Sequence, residues 1–147
     1  ARYYIRRDRA VGLVSVGQHL TLLPPDRGGR QLGKILDALA LLKAEGILPF
    51  RALVETQARN LMRGSTAILI TSAIQTDLTI LVDNLVRQGL RPVVVLLASE
   101  TFGGQVGSVE MAAHLQAQRV PVCRVENGDN LSERLSSLAG SGPGIYF

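Results

Sequence analysis

The stretch Ser65–Ala98, STAILITSAIQTDLTILVDNLVRQGLRPVVVLLA, decides the fold class. Its first seven residues, Ser65 to Thr71, form a short continuous apolar run bounded by Gly64 and by polar residues. Its last seven, Pro92 to Ala98, form another. Both have strand length and are apolar on both faces, the pattern of strands buried inside a parallel sheet. Between them, from about Thr76 to Gln88, Leu78, Leu81, Val82, Leu85 and Val86 recur at helical spacing and face inward, and Gly89 ends the helix. Strand, helix and strand in this order imply a right-handed crossover between parallel neighbours.

The same unit continues downstream. The loop SETFGGQVG leads to a helix, SVEMAAHLQAQ, then a strand, VPVCRVE, and a closing helix, NLSERLSSLA, for which Asn130 and Glu133 have capping-box spacing. Upstream, ARYYIRRDRAVGL reads as a helical stretch feeding a strand over Ala10–Val16. After Gly17-Gln18 a second arm, His19–Leu23, alternates and is expected to stop at Pro24-Pro25, so the pair reads as a hairpin with an edge arm. From Arg30, Leu32, Ile35, Leu36, Leu39 and Leu42 repeat at helical spacing and should cover the sheet, with Gly46 as the stop; a further helix begins near Pro49, with Leu53, Val54, Ala58, Leu61 and Met62 on one side. The expected architecture is a doubly wound, mostly parallel α/β sheet with an antiparallel edge hairpin. It forms one domain over residues 1–140, and GSGPGIYF supplies a loose tail at 141–147.

Composition bounds the function. A chain of 147 residues with 46% hydrophobic and 19% charged content has the make-up of an ordinary folded domain. No apolar run approaches the ~18 residues of a membrane span. The single Cys123 excludes an intramolecular disulfide and a cysteine-rich zinc site, and His19 and His114 lie too far apart in sequence for a histidine metal motif. A reducing, cytoplasmic setting fits. The net charge of +4 clusters at Arg2, Arg6, Arg7 and Arg9, but aromatic content is 4% and no recognition motif accompanies it, so nucleic-acid binding is not expected.

One stretch invites a sharper reading. Gly28 to Lys34, GGRQLGK, matches a phosphate-binding loop until Ile35 replaces the hydroxyl residue that would ligate magnesium. The preceding strand is an edge ended by prolines, and Gly33-Lys34 falls inside the helical repeat. The expectation is therefore a chain turn at Gly28-Gly29 and a solvated Lys34, with a nucleotide- or phosphate-binding enzyme kept as the alternative. His114, among Met111, Ala112, Ala113 and Leu115, reads as partly buried and structural; His19 reads as solvated and Cys123 as a small buried side chain. No catalytic set emerges. What remains is the crevice beyond the carboxyl ends of the parallel strands. Thr71, Ser72, Thr76 and Asp77 converge there with Ser99, Glu100 and Thr101 and with Glu126, Asn127 and Asp129. Their oxygens suit a hard cation such as magnesium, and the same residue types serve equally as helix caps.

The segments VGLVSVG, LLPPDRGGRQLGKILDALALLKAEG, LMRGSTAILITSA, LVRQGLRPVVVLL and RVPVCRVENGDNL, in this order, resemble the C-terminal half of the family called domain of unknown function fifty-eight. That bacterial and archaeal group is related to the von Willebrand factor type A domain. The resemblance implies a von Willebrand factor A-like sheet acting as a non-enzymatic protein–protein interaction module. Its implied partner is a MoxR-type AAA+ ATPase, and its implied place is the cytoplasm or the cytoplasmic face of a membrane. In the related A domain an Asp-x-Ser-x-Ser motif supplies the main metal ligands. None occurs in these residues, so the resemblance leaves only Thr71, Ser72 and Asp77 as partial ligands, with Mg2+ expected in an intact protein and not here. It also implies that the strand carrying that motif, central in the family's sheet, precedes this chain. The hairpin is then expected to pair directly with the Ser65–Thr71 run, or a second copy to fill the gap and give a homodimer.

Overall fold

The apolar runs marked as buried strands form a three-stranded parallel sheet in the computed structural model, which describes residues 1–139. The strands are β3 (Thr66–Thr71), β4 (Arg91–Leu97) and β5 (Val122–Val125), in the order β3-β4-β5. The hairpin strands β1 (Val11–Val16) and β2 (Leu20–Asp26) form a separate two-stranded antiparallel sheet. The protein is thus mixed α/β, but the hairpin is not hydrogen-bonded to the Ser65–Thr71 run as expected. The chain divides into two compact units, Ala1–Leu53 and a second from Val54 onward. The tail expected at 141–147 lies outside the described residues. No helix among those described is long and apolar enough to cross a membrane.

In the first unit, β2 runs through Pro24-Pro25 rather than stopping before them. The register explains why. Leu13 pairs with Leu23 and Val11 with Asp26, so the ladder is irregular opposite Gly12, where prolines without N–H groups cost no regular rung. A Cβ on Gly12 would lie 2.8 Å from the Leu23 carbonyl oxygen, so glycine is what allows the strands to approach there. Helix α1 (Arg2–Ile5) and helix α2 (Gly28–Ala40) pack on each other, and α2 also packs on both hairpin strands. The buried residues of α2 are Gln31 and Ile35, both 2% exposed. Leu36 and Leu39, expected to cover the sheet, are exposed: Leu36 lies about 100° round the helix from Ile35 and Leu39 about 40° to that same side, away from the buried Gln31. The helix ends at Ala40, so Leu42 falls outside it. Gly46 does not cap it; instead Gly46 lies against Val16 and Gly17 of the hairpin turn. Helix α3 (Phe50–Ala58) carries the chain into the second unit, with Leu53 and Ala58 buried and Met62, beyond its end, exposed where an inward position was expected.

In the second unit, helices α4 (Asp77–Arg87) and α5 (Ser108–Ala117) link the strands, and α6 (Leu131–Ala139) follows the last. Leu78, Leu81, Val82 and Leu85 of α4 are buried as their spacing dictates, while Val86 at the margin of that stripe is 50% exposed. Gly89 terminates α4 at φ +82: its N–H donates to the Val86 carbonyl, and that of Leu90 donates to the Leu85 carbonyl. These two bonds satisfy carbonyls that the helix end would otherwise leave open. Side chains alternate across the sheet. Leu69, Val94 and Leu96 point to one face and are buried. Val93, Cys123 and Val125 share the other face, where the Cys123 thiol lies 3.4 Å from the Arg134 carbonyl oxygen of α6. Ile68 and Ile70 of β3 lie on this second face, in register with Val93 and Val95, and remain 41% and 64% exposed. Among the described residues β3 pairs only with β4, so its outer edge carries no strand.

Candidate functional site

The carboxyl ends of the parallel strands gather the polar residues that the sequence places there, around a residue it did not single out. Arg124 is the one charged residue within β5, and alternation points it to the face covered by α5. Its Nε donates to the Ser108 hydroxyl oxygen at 2.6 Å, its Nη2 to Glu100 Oε1 at 3.2 Å, and its Nη1 to Glu126 Oε1. The Ser108 hydroxyl, fully buried at the start of α5, donates in turn to Glu100 Oε1. One guanidinium therefore ties the helical turn Ser99–Phe102, the first turn of α5 and the segment after β5. Its charge is compensated by two carboxylates in a setting where only 26% of the side chain is exposed. A lone arginine in an apolar strand was the available signal, because a charge drawn towards the core requires partners.

The electrostatics keep these groups ionised. The hydrogen bond from Ser108, followed by one from its own backbone N–H, holds the Glu100 carboxyl below the usual range against the opposing effect of desolvation; Arg124 adds to it. Burial pulls the Arg124 pKa down, but the bonds to Glu100 and Glu126 outweigh it, so the guanidinium titrates above its ordinary value. Glu100 Oε2 is buried and has no protein hydrogen-bond partner among the described residues. Asp129 makes a second, adjacent latch. Its Oδ2 accepts from the Glu126 N–H at 2.8 Å and from Arg134 Nε at 2.9 Å, and these bonds, the backbone one foremost, lower its pKa. The Thr101 hydroxyl donates to the Ala98 carbonyl and accepts from the Asn127 N–H, and the Ser99 hydroxyl donates to the Gln105 carbonyl. Chemically, this end of the sheet is a set of hydrogen-bond circuits that fix three loops and, among the described residues, leave Glu100 Oε2 as the one unpaired oxygen of that carboxylate.

The remaining expected residues are placed apart from these circuits. Thr71, at the end of β3, is buried and its hydroxyl accepts from the Ala73 N–H at 3.1 Å. Ser72 is exposed, and Asp77 occupies the first turn of α4, where a carboxylate complements the helix dipole. Thr76 is the N-cap of α4 but makes no side-chain cap, whereas the Asn130 side chain does cap α6 by accepting from the Ser132 N–H. Among the described residues, no group of three or more His, Cys, Asp and Glu side chains is placed to hold a metal ion. Three oxygen donors on one loop suit a hard cation chemically but fall short of the six or more that magnesium or calcium requires.

A groove of about 460 Å³ lies between α4 and α5, floored by Ile74 and Met111 and rimmed by Thr79, Glu110 and His114. His114 is exposed on that rim, not partly buried as expected, because Met111, Ala112 and Leu115 take the inward face of α5. His19 is exposed in the hairpin turn, and Cys123 is buried, as their sequence contexts suggest. The Gly28–Lys34 stretch lies wholly within α2, which begins at Gly28. Lys34 is thus the seventh residue of the helix, exposed, two turns from the N–H groups that cradle phosphate in a nucleotide loop. Ile35 faces inward.

Comparison with known protein families, curated proteins and solved structures finds no match to this chain.

Proposed function

We propose that this chain is a non-enzymatic protein–protein interaction module with a von Willebrand factor A-like sheet, working with a MoxR-type AAA+ ATPase at or near the cytoplasmic side of a bacterial membrane. The observation that carries the reading is the open edge of β3. Thr66–Thr71 contains no charge and no proline, its outer edge has no strand among the described residues, and Ile68 and Ile70 beside it are exposed. Such an edge offers unpaired backbone donors and acceptors together with apolar side chains, the combination used in strand addition. The occupant is an extended segment of a protein partner, or β3 of a second copy in a homodimer. Thr71, Ser72 and Asp77 would contribute part of a Mg2+ site whose further ligands come from a bound partner.

The test combines light scattering of the chain with calorimetric titration against a purified MoxR-type ATPase. Association that Ile70→Lys weakens by tenfold or more, with the fold retained, supports the reading. A chain that stays monomeric at micromolar concentration and gives no heat with the ATPase removes it. The alternative of a nucleotide- or phosphate-binding enzyme requires ATP binding that Lys34→Ala abolishes.

A further inference from the structure

We infer that the N-terminal turn of the first unit is a docking surface for anionic lipid headgroups. The feature is independent of the β3 edge, so either reading can fail while the other stands. Residues 1–10 carry four arginines, Arg2, Arg6, Arg7 and Arg9, and one acid, Asp8. All four arginines are exposed.

The turn that presents them is built, not loose. The Arg6 N–H donates to the Arg2 carbonyl, that of Arg7 to Tyr4, that of Asp8 to Ile5 and that of Arg9 to Tyr4, each at 3.0–3.1 Å. Asp8 closes this turn in the left-handed region at φ +56, where Asp is tolerated better than most residues. Ile5 is buried and Tyr4 is half-buried, which anchors the turn to its own unit. The one acid is also diverted: Asp8 Oδ2 accepts from Arg27 Nη1 at 2.8 Å. Its charge is compensated from outside the cluster, and among the described residues no acidic side chain forms an ion pair with the four arginines of the turn.

The charge of the patch selects its ligand, because four exposed arginines beside a single acid attract anionic groups. The patch lacks the row of exposed aromatic rings that stacks bases: Tyr3 is 40% exposed, but the Arg7 guanidinium already lies 4.3 Å from its ring centre. A fluid surface needs no matching geometry, because its headgroups move to the charges. Arginine pairs well with phosphate and carboxylate groups, and tyrosine favours the interfacial depth at which those groups lie. Attraction of this kind is worth about fivefold in partition per basic residue and fades with salt.

The experiment is co-sedimentation of the 147-residue chain with phosphatidylcholine vesicles, with and without 30% phosphatidylserine. The expected result is a preference for the anionic vesicles of roughly several hundred-fold at low salt, lost in 0.5 M salt. It should also be lost in Arg2→Gln/Arg6→Gln/Arg7→Gln/Arg9→Gln and retained in the corresponding lysine variant. Should the glutamine variant fail to fold by circular dichroism, Arg2→Gln/Arg9→Gln supplies the test, with a partial loss expected. Equal sedimentation with both vesicle types, or full binding by a folded glutamine variant, overturns the inference. Tighter binding to a duplex oligonucleotide than to the anionic vesicles at equal ionic strength also overturns it, by making the patch a nucleic-acid surface.

Discussion

Replacing Gly33 with alanine tests both the helix assignment and the fate of the phosphate-loop resemblance. Gly33 lies in the interior of α2, its φ is not positive, and a Cβ built on it has no heavy atom within 4 Å outside its neighbours and the helix backbone. Alanine therefore recovers the backbone entropy that glycine loses in a helix interior, ~0.5–1 kcal/mol, with no steric cost to set against it. Gly28 is the control. It holds φ +80, where an alanine side chain costs ~1–2 kcal/mol, so Gly28→Ala should destabilise although its surroundings are equally open. The assay is urea denaturation followed by far-ultraviolet circular dichroism, with ATP calorimetry on the same samples. For a urea slope of about 2 kcal/mol/M, Gly33→Ala should raise the midpoint by ~0.3–0.5 M and Gly28→Ala should lower it by ~0.5–1 M. A lowered midpoint for Gly33→Ala, or ATP binding by the parent that this change abolishes, would refute the reasoning.

Other outcomes follow from the buried polar contacts. Arg124→Leu should cost ~1–3 kcal/mol by stripping Glu100, Glu126 and the buried Ser108 hydroxyl of their shared donor, measured as a fall in urea midpoint. Glu100 and Asp129 both titrate below their unfolded values. Their contribution is then present above the ordinary carboxylate range near ~4 and is lost as pH falls through the lowered folded values. Stability should thus drop steeply below pH ~4, and Glu100→Gln should flatten that drop; an unchanged profile would separate Glu100 from it. Gln31→Leu should cost ~1–3 kcal/mol, because the Gln31 amide donates to the Val11 and Pro24 carbonyls at 2.7 and 3.0 Å and leucine cannot. Burial, with Asp129 adding and Arg134 opposing, raises the Cys123 pKa. The thiol should therefore react slowly with a disulfide reagent at pH 8 and fast in urea; rapid labelling of the native chain would place it at the surface.

The amino-acid pattern alone determined the βα alternation of the second unit, the parallel strands, the inward stripe of α4 and its stop at Gly89. Each of these is local. The spacing of apolar residues fixes which face of a helix or strand avoids water, and a glycine at a helix end tolerates the left-handed turn. The same logic placed Ile35 inward and Lys34 in solvent, enough to tell a helix from a phosphate loop. It did not place Leu36 and Leu39, because an apolar residue beside the stripe is buried only if a neighbouring element reaches it. Nor did it show that Pro24-Pro25 would lie within a strand, since Gly12 and the Gln31 amide that accommodate them come from elsewhere in the chain. The candidate site divides in the same way. The polar ends of the parallel strands are legible as composition, but the latch at Arg124 exists only because the sheet register brings β5, the Glu100 turn and the first turn of α5 together. Sequence spacing says what a residue can donate or accept; only the tertiary fold decides which partner stands within 3 Å of it.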